Sequence, residues 1–187
     1  MRAENHKLPI LTIGYGLRGG GEVIELLRRY GVEYVGDVRS VPFSRRRPEF
    51  SRPALERILQ AAEIRYVFLG DVLGGRPEDP RCYDDDGHVD YDRCRDSDTF
   101  RTGIDRVEAA HQQGRCLALL CSEARPEDCH RTKLLAEMLA ERGVSVRHIN
   151  EHGNLVEHEE IAAKIHGAQL TLVAGDLGRS RRAYRVA

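Results

Sequence analysis

The 187-residue chain has no apolar run of the roughly 18 residues that a membrane-crossing helix needs, and its first residues, MRAENHKLPIL, lack the apolar stretch of a secretion signal. These absences lead us to expect a cytoplasmic protein with no membrane partner. Net charge is also nearly missing: 29 Lys and Arg against 30 Asp and Glu leave −1, which removes any global bias toward polyanions. No internal repeat or low-complexity segment is present. The five cysteines show no C-x2-C knuckle, and in a cytoplasmic setting they are expected as free thiols, ligands or a nucleophile rather than as a disulfide scaffold. No D-x-D-x-D-G-x5-E pattern appears, which argues against a calcium loop.

What is present is an ordinary globular balance, 41% hydrophobic and 32% charged, with the charge clustered. Arg45, Arg46 and Arg47 form one basic run, and Arg179, Arg181, Arg182 and Arg185 a basic tail; Asp84, Asp85 and Asp86 sit between them in an acidic stretch.

The periodicity alternates between strand and helix. Ile10 to Tyr15 (ILTIGY) reads as a buried strand entering a glycine-rich turn, and Val23, Ile24, Leu26, Leu27 and Tyr30 give the next segment an apolar helical stripe. Gly14, Gly16 and Gly19 fit a dinucleotide fingerprint only if Asp37 supplies the ribose-binding acid; an anion-contacting turn or plain loop glycines fit as well. Val32 to Val38 is the second strand and ends in the charged pair Asp37 and Arg39, either a site or an ion pair pinning the loop. The loop SVPFSRRRPEFS (40–51) interleaves arginines with Phe43 and Phe50, a composition suited to phosphate or nucleic-acid backbone, or to a solvated turn with its aromatics tucked inward. A helix starting at Ser51 or Arg52 and a third strand, Ile64 to Leu69, complete a β-α-β-α-β order, the pattern of a parallel sheet. From Gly70 to Ser97 the periodicity fails, and we expect a long inserted loop, preferably a lid over the strand ends. An amphipathic helix from Thr99 to Gln113 leads to the strand Cys116 to Cys121, and Val144 to Ile149 makes the fifth strand.

The chemistry concentrates between Arg115 and Arg142, RCLALLCSEARPEDCHRTKLLAEMLAER. The strand ends in Cys121, a loop carries Glu123 and Arg125, and Cys129, His130 and Arg131 open a helix. At such an edge, free N–H groups and the helix dipole favour anions. Three readings compete. Cys121 is a nucleophile whose thiolate is favoured by the helix N-terminus, Arg125 and Arg131, with Glu123 working against it or serving as a base. Alternatively, Cys121, Cys129 and His130 join a remote ligand around zinc or iron, although adjacent Cys129 and His130 are not expected to face one ion. In the third reading the cysteines only pack.

Four segments, TIGYG (12–16), DVRSVPFSRRRPEFS (37–51), IRYVFLGDVLGG (64–75) and LLCSEARPEDCHR (119–131), together resemble the bacterial and archaeal family called domain of unknown function 488. The resemblance spans Leu11 to Ile149 and implies a single α/β domain, without a reaction. Where members commonly show a histidine-serine pair, this chain has Tyr15 and Gly16. A weaker, architectural likeness is to rhodanese and cysteine-phosphatase domains, through Asp37-Val38-Arg39, Cys121 and Arg131; their C-x5-R loop is absent.

The sequence therefore predicts a three-layer α/β sandwich with a mainly parallel, Rossmann-like sheet of about five strands, in a domain spanning 1–153 with an insertion at 70–97 and a helical, basic extension at 154–187. The expected site has Cys121, Glu123 and His130 as catalytic groups. Tyr15, Asp37, Arg39, Arg45, Arg46, Cys129 and Arg131 hold a phosphate-bearing ligand, with no metal assigned and no cofactor indicated. The alternative is a nucleic-acid-binding module using the arginine loop and tail.

Overall fold

The computed structural model describes residues 8–169 and 178–184. The apolar LTLVAG segment and Arg185 of the basic tail lie outside the described residues. Six strands form the main sheet: β1 (Ile10–Gly14), β2 (Tyr34–Asp37), β3 (Arg65–Phe68), β5 (Leu117–Cys121), β6 (Val146–Ile149) and β7 (Leu155–Glu157), in the order β3-β2-β5-β1-β6-β7. All neighbours run parallel except β6 and β7. The sheet thus exceeds the expected five strands by one. The extra strand, β7, follows a tight turn in which Asn150 N–H bonds Asn154 O at 2.9 Å, and it pairs to β6 just past residue 153.

Strand alternation builds the layers. Along β5, Cys116, Ala118 and Leu120 face one core while Leu117, Leu119 and Cys121 face the other, the period-2 pattern of a strand buried on both faces. The first core is closed by Val23, Leu26 and Leu27 of α1 (Gly20–Arg29) and by Leu55 and Leu59 of α2 (Arg52–Ala61). The second is closed by Leu73 of α3 (Gly70–Leu73), by Phe100, Ile104 and Val107 of α5 (Asp98–Gln112), and by Leu134, Leu135 and Leu139 after the Cys129 loop. Each fully buried aliphatic side chain contributes about 1.5–3 kcal/mol relative to exposure.

The insertion is built of short pieces, α3, β4 (His88–Asp90) and α4 (Tyr91–Asp96), too brief to leave a periodic signal. It is tied to the C-terminal tail, because β4 pairs antiparallel with β8 (Arg179–Ala183). Val89 N–H donates to Ser180 Oγ at 2.9 Å, and Arg179 pairs with Asp84 at 3.2 Å. This second, two-stranded sheet stands over the C-terminal edge of the main one. After the Cys129 loop the chain makes a wide π-type turn over Arg131–Ala136 before α6 (Glu137–Glu141), and α7 (His158–Gln169) follows β7. No helix among the described residues is long and apolar enough to cross a membrane.

Candidate functional site

The strand order makes the site. Because β5 lies between β2 and β1, the C-terminal ends of these strands are neighbours: Gly14 sits opposite Cys121, and Asp37 opposite Leu120. The pairing continues into the loops, since Tyr15 N–H donates to Cys121 O at 3.1 Å and Gly16 N–H to Ser122 O at 3.0 Å. These amides are therefore spent on the β5 loop. The glycine turn serves close packing rather than a phosphate: a Cβ on Gly14 would stand 1.6 Å from Glu123 O.

Arg131 anchors this loop from below. Its guanidinium is fully buried and donates to Glu123 O at 2.5 Å and to Ala124 O at 3.1 Å. Expected as a ligand-binding arginine, it is instead a clamp, because both amino groups are engaged by backbone carbonyls and the side chain does not reach the pocket surface. Asp37 is likewise internal, fully buried with Arg39 Nε at 2.8 Å and Tyr66 Oη at 2.9 Å. Burial weakens the Arg39 cation, but the Asp37 carboxylate more than offsets this and holds its pKa above the ordinary value. Arg39 also donates to Phe50 O at 2.8 Å and lies 5.4 Å from the centroid of the Tyr15 ring, which stacks on Phe50 at 4.1 Å. The pair pins the loop and leaves only part of Arg39 facing the pocket.

Cys121, Cys129 and His130 converge. His130 Nδ1 lies 3.8 Å from Cys121 Sγ and 3.7 Å from Cys129 Sγ, and the three ligand atoms fall within 4.8 Å of one another. Adjacent Cys129 and His130 face one point, contrary to expectation. The reason is in the backbone, extended at Cys129 (φ −122°, ψ 145°) and helical at His130 (φ −58°, ψ −27°), which swings consecutive side chains to the same side. The His130 ring packs on bare backbone, since a Cβ on Gly75 would meet Nδ1 at 2.8 Å. Its Nε2 has no hydrogen-bond partner among the described residues. Hydrogen bonding from the Cys129 thiol holds the Cys121 pKa well below the ordinary thiol value; burial opposes this, and His130 and Arg131 reinforce it. Burial and the Cys121 neighbour push Cys129 up. Arg125 takes no part: it is exposed and lies 3.5 Å from Glu151. A wide helical turn directly after His130 is a feature that recurs at functional sites.

The trio floors a pocket of about 510 Å³. Of the expected residues, Tyr15, Arg39, Cys121, Glu123, Cys129 and His130 line it; Asp37, Arg45, Arg46 and Arg131 do not. Arg45 and Arg46 are exposed on the 40–51 loop, which turns its Val41 and Phe43 toward the pocket instead. The opposite wall is made by Gly75, Arg76 and Tyr91 of the insertion, for which a lid over the strand ends is the preferred reading, and by Ser180, Arg181, Arg182 and Tyr184 of the tail; none of these is among the expected site residues. Arg181 pairs with Asp128 at 3.2 Å, and Arg76 lies 4.4 Å from the Tyr184 ring centroid. The basic tail was a visible signal; its placement over the cysteines depends on the β4–β8 pairing. Four arginines against Glu123 and Asp128 leave the lining with an excess of positive charge.

Comparison with curated proteins and with solved structures finds no match, and nothing in either supports the likeness to rhodanese and phosphatase domains. The family model described as "Domain of unknown function DUF488" matches residues 21–139, well over half the chain and including the whole stretch from the Asp37 loop to the thiol cluster. The chain belongs to the DUF488 family.

Proposed function

We propose that the protein binds a small anionic, phosphate-bearing ligand in this pocket and acts on it at the thiol cluster, with Cys121 as the reacting group. The observation that carries the reading is the union, in one cavity, of arginine walls and a buried thiol pair at a strand end. Guanidinium groups match the planar, multidentate geometry of phosphate oxygens. Arg182 and Arg76 face the pocket with exposed side chains, and part of Arg39 lies below them. In the reaction the Cys121 sulfur attacks phosphorus of the ligand and the bond from phosphorus to the leaving oxygen breaks. Glu123 at the rim or His130 beside the sulfur takes the thiol proton and passes it to that oxygen, and water or an acceptor hydroxyl then displaces Cys121 from the phosphoryl group, as in a thiol-dependent hydrolase or transferase. The test is protection: pyrophosphate slows iodoacetamide labelling of Cys121 in the wild type but not in Arg182→Glu. Labelling unaffected by pyrophosphate would remove the anion from this reading.

A second reading has a specific observation in its favour. Phe43 is 65% exposed beside exposed Arg45 and Arg46, and an open aromatic next to guanidinium groups suits single-stranded nucleic acid. Its mark is steep salt dependence of oligonucleotide binding, lost when Arg45 and Arg46 are changed to Glu.

A further inference from the structure

We infer that Cys121, Cys129 and His130 form a three-ligand site for a thiophilic divalent cation of the zinc class, with the fourth coordination position open to the pocket. The inference rests on the reading of this pocket as the ligand site, and it changes how the thiol cluster works there.

The argument is first one of distance. Zinc bonds of about 2.3 Å to sulfur and about 2.0 Å to nitrogen, set at the tetrahedral angle, place sulfur and nitrogen roughly 3.5 Å apart. The two observed sulfur–nitrogen separations, 3.8 and 3.7 Å, lie close to that edge, and the two sulfurs lie within 4.8 Å of each other. A histidine hydrogen-bonded to one thiol has no reason to stand equally far from two. The ring is also held in position, because the Gly75 backbone packs on it, and Nδ1 meets the two sulfurs while Nε2 engages nothing else among the described residues.

The second strand of the argument is donor type. Two thiolates and an imidazole select borderline and soft ions over magnesium or calcium. All three side chains are buried, which excludes competing water from the protein side of the ion. A Cys2His set that leaves one position free is the arrangement of catalytic rather than structural zinc. That position faces the cavity lined by Arg39, Arg76 and Arg182, where an anionic oxygen or a water reaches it. With an ion in place, Cys121 is a ligand, the ion polarises whatever occupies the open position, and the arginines orient the remaining charge. Uptake of the ion displaces thiol protons to solvent.

The remaining cysteines offer an internal control. Cys82, Cys94 and Cys116 are free and buried, and none belongs to a group of three candidate ligands among the described residues.

The experiment uses the full chain, stripped with chelator and titrated with Co(II). We expect one equivalent to bind, with thiolate-to-cobalt charge-transfer bands and tetrahedral ligand-field bands, displaceable by zinc. Cys121→Ser and Cys129→Ser each lower the charge-transfer intensity, since one thiolate remains, or weaken binding by more than about tenfold, whereas Cys94→Ser leaves both unchanged. Circular dichroism checks that each variant is folded. Should a serine variant unfold, alkylation mapping of the wild type decides instead, because bound cobalt must shield Cys121 and Cys129 and leave the other three as they were. Absence of stoichiometric binding to the folded chain, or shielding of any other pair, overturns the inference. The outcomes separate from those of the anion reading: if pyrophosphate protects Cys121 in metal-free protein while cobalt does not bind, the metal site falls and the anion site stands. If cobalt binds and pyrophosphate gives no protection, the anion site falls and the metal site stands.

Discussion

Two cysteine pairs share one apolar core and face opposite electrostatic surroundings. Cys82 and Cys94 touch each other within the insertion, 1% and 0% exposed; Cys121 and Cys129 touch beyond the end of β5, and all four belong to the same cluster of buried side chains. Burial pushes both members of the first pair up, helped by the carboxylates of Asp79 and Asp90. In the second pair one thiol, Cys121, is held down, first by its hydrogen bond from Cys129 and then by His130 and Arg131, which stand where the first pair has acids. Burial is common to the two pairs, so it cannot be what marks a functional cysteine. Arg81 stands beside Cys82 without bringing its thiol down, so the mark is a lowered thiol with a route to the pocket, which of these two pairs only the second has.

The largest break in this comparison comes from Arg131. Arg131→Met removes the charge near Cys121 and strands Glu123 O and Ala124 O. Lost hydrogen bonds from a charged donor and unpaired carbonyls cost about 3–4 kcal/mol in total, read as a fall in urea midpoint, with unchanged slope. A loss below about 1 kcal/mol would mean that the loop does not depend on the clamp. The next effect is reactivity. In chelator-treated protein, Cys121 is expected to label with iodoacetamide about a hundredfold faster than Cys82 or Cys94. Equal rates for the two pairs would show that the surroundings of Cys121 do not activate it.

How the sequence relates to this contrast depends on the scale of each signal. The strands β1, β2, β3, β5 and β6 are apolar runs and were readable, as was the edge they form; Tyr15, Arg39, Cys121, Glu123, Cys129 and His130 all line one pocket there. β8 was not readable, because Arg-Ser-Arg-Arg-Ala carries no apolar alternation and acquires its strand character only by pairing with β4 some 90 residues earlier. The orientation of Cys129 and His130 turns on two pairs of backbone angles that spacing does not encode. Arginines look alike in a sequence: Arg131 is a fully buried clamp, Arg46 is exposed and away from the pocket, and Arg182 faces it. Helical periodicity places Arg131 near the loop, but only the three-dimensional packing of Gly14 against Glu123 O shows that the carbonyls point at it.

The inert pair tests the other half of the comparison. If Cys94 only packs, Cys94→Ala costs about 1–2 kcal/mol through the small cavity it leaves, while labelling of Cys121 and cobalt binding stay at wild-type values. A change in either would couple the two pairs through the shared core and end the distinction between them.

The smallest effect extends the rule from thiols to imidazoles. His130 stands at the pocket; His148 is fully buried, with Nδ1 2.8 Å from Thr12 Oγ1 and Nε2 3.0 Å from His158 Nδ1, and His158 lies 3.4 Å from Glu137. Burial, with His158 and Arg131 adding to it, lowers the His148 pKa to about 3. The unfolded chain, near 6.5, then binds the proton first as pH falls. Stability from this group is fully present above about pH 6.5 and is lost progressively as pH drops from there toward 3. Between pH 7 and pH 6 the loss is about 0.7 kcal/mol. Glu137 is also held low, by its bond to His158, but its contribution begins to fall away only as pH drops through about 4.3, the unfolded value, and does not overlap the pH 7 to 6 interval. Urea midpoints of the wild type and His148→Gln at the two pH values isolate the term, because the variant keeps every other titrating group. A wild type that loses no more than the variant would show that His148 takes a proton inside the fold. The Thr12–His148–His158 chain would then be a proton-accepting site rather than an inert one.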